Sequence, residues 1–278
     1  MMKDYPIVIG KNKRIAIIGG INVLNNIDEA ISIGMKFKEA CRKNKMSYVF
    51  KASFDKANRT SFDGFRGPGF IKGLEMLKEI KDILKVPILT DIHETNQANK
   101  AAKVCDMLQL PAFLARQTDL INALAKTGKP INIKKPQFIS PDQIKFIVQK
   151  FSKFGCEDIV ICERGSMYGY NQQIVDIIGL EIIKEQTNKP ICVDITHSLQ
   201  FRHEECSSSN GRRKYALNLA KSVTATSIDA LFIEAHQSPD FAKCDGASAI
   251  PSDVIPEFID QVCEVDNLVK NQGIIQIE

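Results

Sequence analysis

The sequence predicts an α/β protein folded as a (β/α)8 barrel, the class known as the TIM barrel. The chain of 278 residues is 44% hydrophobic and 25% charged, as in globular proteins with a large core. Short apolar runs rich in β-branched residues alternate with longer amphipathic stretches, which is typical of repeated βα units. Eight such units follow one another without a linker, and an open sheet would have to reverse its strand order midway. We therefore expect one closed-barrel domain over residues 1–278.

The predicted strands are short and separated by longer helical stretches. The strands cover residues 14–20, 48–54, 86–92, 107–111, 130–135, 158–164, 190–197 and 230–236, and the clearest helices cover residues 68–84, 140–154 and 212–227. A further short stretch, residues 6–9, is expected to pair with residues 14–17 as a β-hairpin that closes the bottom of the barrel.

Composition excludes several classes of protein. A formal net charge of +4 is too small to indicate nucleic-acid binding, and no basic stripe stands out. No apolar run is long enough to span a bilayer, and the N-terminus lacks the apolar core of a signal peptide. The cysteines are scattered, several of them within apolar segments, which favours free buried thiols over disulfides or a zinc site. We expect a soluble, cytoplasmic protein.

Cationic side chains collect at or just beyond the C-terminal ends of the predicted strands. In a (β/α)8 barrel these ends meet at one rim, where active sites are built. Clustered cations repel one another unless an anion lies between them, so the pattern predicts an anionic, phosphorylated ligand. Lys51 and Lys134 would also suit a Schiff-base aldolase, in which a lysine attacks a carbonyl, and the cations alone do not decide between the two. The set comprises Lys51, Lys56, Arg59, Arg116, Lys134, Lys135 and Arg164.

Four further rim residues have the side chains of a metal site. His197, Glu234 and Asp245 are suitable ligands for a divalent cation, and Asn22 follows the first strand. An amide oxygen binds zinc or ferrous iron weakly compared with a thiolate. We therefore expect neither a tightly held metal nor another cofactor.

Seven motifs resemble those of 3-deoxy-D-manno-octulosonate 8-phosphate synthases, in order and over residues 14–251. They are GINVL at 20–24, KASFDKANR at 51–59, RGPG at 66–69, QLPAFLARQTD at 109–119, KKPQF at 134–138, CERG at 162–165 and CDG at 244–246. The resemblance implies an enzyme of lipopolysaccharide inner-core sugar biosynthesis. It condenses phosphoenolpyruvate with arabinose 5-phosphate and water, and releases inorganic phosphate.

The resemblance also implies the residues of the site. Those that bind phosphoenolpyruvate are Lys56, Lys134 and Arg164, with Gln109 and the backbone of Ala112 and Phe113 lining the pocket. Those that receive arabinose 5-phosphate are Asn58, Arg59 and Thr60, with Arg116 reaching in from a neighbouring subunit of a homotetramer. The catalytic set is Asn22, Lys51, Asp91, His197 and Asp245, and Glu234 is grouped with the substrate-binding residues.

Asn22 decides the branch of the family that this chain resembles. In the metal-dependent branch a cysteine occupies this position, so the resemblance implies the metal-independent branch. The chain departs from the family at Thr60, where serine is usual, and at Asn25 and Asn26, where an acidic residue is common. The segment 207–210 before Gly211 also departs, in a late loop.

Two other functions remain as alternatives. A 3-deoxy-heptulosonate 7-phosphate synthase uses the same chemistry on erythrose 4-phosphate, but it would normally require the metal-binding cysteine. A non-catalytic barrel that binds a sugar phosphate has the same fold, since fold alone does not prove turnover. For the enzyme, His197 or Asp245 is expected to take the proton of the attacking water, and Lys51 to protonate the new alkoxide.

Overall fold

Eight parallel strands close into a ring, because the first strand pairs with both the second and the last. The computed structural model describes residues 6–10, 13–167, 172–201, 210–272 and 275. The strands are β1 (Ala16–Val23), β2 (Tyr48–Ser53), β3 (Ile88–Asp91), β4 (Met107–Leu110), β5 (Ile131–Lys134), β6 (Ile159–Glu163), β7 (Ile191–Asp194) and β8 (Ala230–His236). The predicted (β/α)8 barrel is confirmed, and β1 continues past the predicted end at Gly20 to Val23.

Helices alternate with the strands along the chain. They are α1 (Ile27–Lys43), α2 (Phe70–Leu84), α3 (Thr95–Ala101), α4 (Thr118–Ala125), α5 (Ile144–Lys153), α6 (Ile177–Thr187), α7 (Ala216–Thr224) and α8 (Ile255–Lys270). Short 3-10 helices cover Ala112–Leu114, Pro141–Gln143, His197–Leu199, Arg213–Tyr215, Pro239–Phe241 and Ser252–Val254. Two of the predicted helices are therefore each divided into a 3-10 turn followed by α5 or α7.

The two faces of each strand enter different environments. Outward side chains such as Ile17 and Tyr48 belong to the large core between strands and helices. Inward side chains such as Ile18 and Val49 form a second, smaller cluster that fills the barrel. Because successive residues of a strand point to opposite faces, the sequence reaches both cores with a simple alternation.

The inward face changes from apolar to polar along β2, β3, β4, β7 and β8. In each of these strands, an apolar inward residue is followed two positions later by a polar one. The pairs are Val49 and Lys51, Leu89 and Asp91, Met107 and Gln109, Cys192 and Asp194, and Phe232 and Glu234. The apolar layers therefore fill the lower barrel and leave the polar residues at the C-terminal rim, as is usual for this fold.

The predicted N-terminal hairpin is wrong. Residues 6–10 form no strand, and β1 begins only at Ala16. Instead, Ile7 and Ile9 pack against the inner cluster, and the backbone N–H of Val8 donates to the Ser47 hydroxyl at 3.2 Å. The segment covers the bottom of the barrel through side-chain packing, because the inner cluster offers it an apolar surface.

Several predictions about single segments have different outcomes. The cysteines of the described residues are all free and buried, as predicted: Cys41, Cys105, Cys156, Cys162, Cys192, Cys244 and Cys263. Cys206 and most of the segment 207–210 lie outside the described residues. A pair of two-residue strands, Gln200–Phe201 and Asn210–Gly211, flanks that segment.

Among the helices of the described residues, none is both long and apolar enough to cross a membrane.

Candidate active site

A cavity of about 320 Å³ opens at the C-terminal rim of the barrel. Its walls come from strands β2 to β7 and from the loops that directly follow them. They comprise Lys51, Lys56, Ala57, Asn58, Asp91, His93, Gln109, Pro111, Ala112, Phe113, Leu114, Lys134, Arg164, Asp194 and His197. The fold thus brings together most of the residues that the sequence predicted for the site.

Lys51 and Glu234 form a buried ion pair between β2 and β8. Lys51 Nζ lies 2.8 Å from Glu234 Oε1, and each side chain is 2% exposed. Burial lowers the pKa of Lys51, and the negative charge of Glu234 offsets only part of that effect. Burial alone would raise the pKa of Glu234, but the positive charges of His197 and Lys51 outweigh it and hold this pKa well below its usual range. Glu234 therefore stays ionised, and Lys51 releases its proton more readily than an ordinary lysine.

Asp194, at the end of β7, holds two side chains of the cavity. Its Oδ2 accepts from Lys134 Nζ at 2.5 Å and from His197 Nδ1 at 2.7 Å. Its Oδ1 accepts the backbone N–H of Thr196 at 3.0 Å and of His197 at 2.8 Å. Burial alone would raise the pKa of Asp194, but the charges of His197 and Lys134 hold it well below its usual range. A carboxylate only accepts hydrogen bonds, so Nδ1 carries the proton in the bond to His197.

Lys134 and His197 also contact other groups of the inner barrel. Lys134 Nζ lies 3.1 Å from the ring centre of Phe232, a cation–π contact. His197 Nε2 lies 3.5 Å from Glu234 Oε2. The imidazole therefore stands between two buried carboxylates, with one ring nitrogen facing each.

Asn22, at the end of β1, lies between two carboxylates. Its Nδ2 donates to Glu234 Oε2 at 2.5 Å and to Asp245 Oδ2 at 3.2 Å. The NH₂ group must face them because the amide oxygen would be repelled. In the described residues, no group of three or more His, Cys, Asp or Glu is arranged to hold a metal ion. The amide donor of Asn22 occupies the position between the two carboxylates.

Arg164 and Lys56 have hydrogen-bonding capacity to spare. Arg164 donates through Nη2 to Gln200 Oε1 at 3.1 Å, while its buried Nη1 has no partner among the described residues. The Lys56 ammonium has neither a hydrogen bond nor an ion pair within the described part of the chain, although Lys56 is only 9% exposed. Burial alone would lower the pKa of Lys56, but the negative charges of Glu234 and Asp91 together outweigh burial. The pKa of Lys56 therefore lies above its usual range. Both groups remain cationic and open to an anion.

Asp91 and His93 form a second acid–imidazole pair at the rim. Asp91 Oδ2 lies 2.8 Å from His93 Nε2, and Asp91 Oδ1 is buried without a partner among the described residues. Burial alone would raise the pKa of Asp91, but the bond to His93 and nearby positive charges hold it well below its usual range. Asp91 is therefore an ionised acceptor at the cavity wall.

The loop after β2 carries Arg59, Asn58 and Thr60. Arg59 Nη1 donates to Cys244 Sγ at 2.6 Å. Burial raises the pKa of the Cys244 thiol to about 12, so the thiol is neutral and leaves the charge of Arg59 uncompensated. Asn58 lines the cavity. Thr60 is exposed and is not among the cavity residues, so the structure does not bring it to the site.

Two cations of the predicted cluster lie elsewhere. Lys135 is fully buried and points away from the barrel interior, as the residue after inward-facing Lys134 must. Its predicted place in the cavity is wrong. Arg116 is exposed and lines a separate cleft with Phe146 and Lys150. Arg116 therefore lies away from the cavity of its own barrel.

Three residues of the site were not predicted as functional: Asp194, Gln200 and His93. The strand alternation could have identified Asp194, because it continues the inward face after Cys192. Gln200 connects Arg164 to Asp245, since its Nε2 donates to Asp245 Oδ1 at 2.9 Å. It lies beyond the end of β7, where no periodic pattern indicates a direction.

Fold and cavity together define a (β/α)8-barrel protein with a cavity lined by cationic side chains at its C-terminal rim. A family model described as the DAHP synthetase I family matches residues 1–271. The chain therefore belongs to the DAHP synthetase I family.

Curated relatives match over nearly the whole chain. The 2-dehydro-3-deoxyphosphooctonate aldolase of Parasynechococcus marenigrum (strain WH8102) is 47% identical over 98% of this chain and 96% of its own length. The protein of the same name from Aliivibrio fischeri (strain MJ11) is 49% identical over 100% and 98%. That of Vibrio atlanticus (strain LGP32) is 48% identical over 100% of both chains.

Proposed function

We propose that the chain condenses phosphoenolpyruvate with D-arabinose 5-phosphate and water to give 3-deoxy-D-manno-octulosonate 8-phosphate and inorganic phosphate, in lipopolysaccharide inner-core sugar biosynthesis. Relatives that are named 2-dehydro-3-deoxyphosphooctonate aldolase support this function. In the reaction, carbon 3 of the enol attacks the sugar aldehyde and water adds to carbon 2. Phosphate then leaves through cleavage of the carbon–oxygen bond.

The observation that carries the proposal is the distribution of charge at the rim. Lys51 and Lys134 already have carboxylate partners, whereas the charges of Lys56, Arg164 and Arg59 are available. A substrate pair with two phosphates and a carboxylate supplies the missing negative charge.

Phosphoenolpyruvate binds, in this proposal, at the inner part of the cavity. The guanidinium of Arg164 suits a bidentate contact with phosphate or carboxylate, and Lys56 adds point charge. Lys134 contributes from its position between Asp194 and Phe232. Gln109, Ala112 and Phe113 line the same cavity and complete the pocket.

Arabinose 5-phosphate binds towards the loop after β2. Asn58 lines the cavity there, and Arg59 stands beside the neutral thiol of Cys244. An incoming phosphate would replace this weak thiol contact with a charge-assisted one. Thr60 would need to move inward to contribute.

His197 is the better of the two candidates for the proton of the attacking water. It lines the cavity, whereas Asp245 is not among the cavity residues and accepts from Asn22 and Gln200. Lys51 supplies the proton for the new alkoxide, since burial lowers its pKa. Asp91 would orient groups on the reacting carbons.

We also propose metal independence, a cytoplasmic location and a homotetramer. Asn22 supports metal independence because its amide donor lies between the carboxylates that would otherwise bind an ion. The free thiols of the described residues fit a reducing compartment. The exposed side chain of Phe146 lines the same cleft as Arg116, which supports subunit contact there.

The test is a phosphate-release assay with both substrates. We expect release to require phosphoenolpyruvate and arabinose 5-phosphate together. Faster release with erythrose 4-phosphate would favour the heptulosonate alternative. Binding of both compounds without release would favour the non-catalytic barrel.

A further inference from the structure

Lys135 occupies a closed site between the ends of β5 and β6, outside the barrel interior. It is fully buried. Its Nζ donates to the carbonyl oxygens of Pro136 at 3.2 Å and Ile139 at 3.1 Å, and to Ser166 Oγ at 3.1 Å. Nζ also lies 3.4 Å from Glu163 Oε2. Lys135 therefore joins the loop after β5 to the loop after β6.

Glu163 fixes the backbone at the end of β6. Its Oε1 accepts the N–H of Arg164 at 2.9 Å and of Gly165 at 2.5 Å. Gly165 has φ +90°, and a Cβ at that position would lie 2.7 Å from Gln173 Cβ. This turn requires glycine, and the Glu163 carboxylate holds it in the conformation that places Arg164 in the cavity.

We propose that Lys135 and Glu163 are positioning residues that set the separation of Lys134 and Arg164, and thereby the affinity for phosphoenolpyruvate. Lys135 directly follows Lys134, and Glu163 directly precedes Arg164. The two strand ends are also joined where the Lys135 N–H donates to the Cys162 carbonyl at 2.9 Å. The inference rests on the proposed function, because it assigns Lys134 and Arg164 to one substrate.

Stability alone is a weak reason for this pair. Removing two charges from water costs about as much as their attraction returns, and apolar residues of similar volume often replace such a pair without loss. A fixed distance between the two cations Lys134 and Arg164 would instead matter for substrate binding. A displacement of about 1 Å at a substrate-positioning group can reduce activity on the order of 100-fold.

Glu163→Gln and Lys135→Met test the proposal. The glutamine keeps an acceptor for the two backbone N–H groups but removes the charge that holds Lys135. We expect the Kd for phosphoenolpyruvate, measured by titration calorimetry, to rise about 10- to 100-fold in each variant. The KM for arabinose 5-phosphate should change much less. Glu163→Asp, which retains the charge, should bind phosphoenolpyruvate more tightly than Glu163→Gln does.

The matched control is Glu157→Gln. Glu157 precedes β6 at the opposite end of the barrel and pairs with Lys189 at 2.7 Å. The Glu157→Gln variant should leave both the Kd for phosphoenolpyruvate and the KM for arabinose 5-phosphate unchanged. Equal changes for the two substrates, or a lower melting temperature with an unchanged Kd for phosphoenolpyruvate, would overturn the proposal. If a variant does not fold, the remaining variants give the same comparison.

Because the Kd for phosphoenolpyruvate is measured without turnover, the test of the positioning pair can fail or succeed independently of the proposed function. If the wild-type chain binds phosphoenolpyruvate but releases no phosphate with the sugar, the proposed function fails, while the Kd comparison still judges the positioning pair.

Discussion

Asp194 joins two side chains that the proposed reaction needs, Lys134 and His197. Asp194→Asn removes the charge that orients both, and its amide can accept at only one of its two ends. We expect kcat to fall about 100-fold, with a smaller effect on the KM for arabinose 5-phosphate, as steady-state kinetics would measure.

Asp106→Asn is the control for that variant. Asp106 also accepts from a lysine and a backbone N–H, namely Lys81 at 2.7 Å and Ile88 at 3.0 Å, but at the bottom of β3. The Asp106→Asn variant should have a lower free energy of unfolding and an unchanged kcat. Similar losses of kcat in both variants would mean that Asp194 acts through stability alone.

Asn22 predicts the response to chelation. Its amide donor lies between Glu234 and Asp245, so activity should survive exhaustive treatment with EDTA. Activity that is lost with EDTA and restored by a divalent metal would contradict the metal-independent assignment.

The same position predicts a gain of metal binding. Asn22→Cys replaces the amide with a thiolate beside Asp245, a ligand that zinc and iron prefer. We expect the variant to bind one of these metals under reducing conditions, as metal analysis after gel filtration would measure. If it binds none, the three remaining residues are not close enough to act as ligands together.

Glu234 predicts how stability depends on pH. Its pKa in the folded protein lies well below its usual range, so the unfolded chain binds more protons at acidic pH. Its contribution is therefore present above the pKa of an unfolded glutamate, about 4.3, and is lost as the pH falls below it. Glu234→Gln should flatten the pH dependence of the free energy of unfolding between about pH 5 and pH 3. Urea denaturation across this range measures it, and an unchanged slope would contradict the assignment.

At the scale of elements, the alternation of inward and outward side chains predicts much of the site. The inward directions of Lys51, Asp91 and Lys134 follow from strand register. Lys135 points outward because it directly follows inward-facing Lys134. The loops are different. Nothing periodic relates Arg59 to Cys244, or Gln200 to Asp245, so those contacts could not be predicted from the sequence.

The pairing of β1 with β2 gives an element-scale prediction. A Cβ on Gly20 would lie 2.1 Å from the carbonyl oxygen of Lys51, so Gly20→Ala must push the strands apart. We expect a loss of about 1–3 kcal/mol in the free energy of unfolding, together with reduced activity, because Lys51 lies on the displaced strand. Gly10→Ala is the control, since a Cβ there meets nothing within 4 Å. Equal stability of the two variants in urea would show that the strands accommodate the methyl group.

At the scale of the whole molecule, Arg116 predicts a shared site. It lies in a cleft with Lys150 and Phe146, away from the cavity of its own barrel. Arg116→Ala should weaken the affinity for arabinose 5-phosphate by about 1.5–3 kcal/mol, the value of a hydrogen bond to a charged group. Phosphoenolpyruvate affinity should change little.

Hybrid oligomers make the shared site testable. Arg116→Ala is mixed and re-associated with Lys134→Ala, so that some sites combine an intact Lys134 with an Arg116 from the neighbouring subunit. Activity above that of either variant alone supports sharing. A fully active monomer at high dilution would show that Arg116 serves no neighbouring site.

The sequence by itself determined the barrel, the rim that carries the chemistry and the family, because strand periodicity is local and the motifs are contiguous. Only the tertiary structure decided which cations are already neutralised. Asp194 and Lys134, or Glu234 and Lys51, are far apart along the chain and meet only when the barrel closes. The tertiary structure also decided that residues 6–9 form no hairpin, because Ile7 and Ile9 pack against the inner apolar cluster of the closed barrel. Charge compensation depends on distances across the barrel, and such distances exist only after the ring of strands has formed.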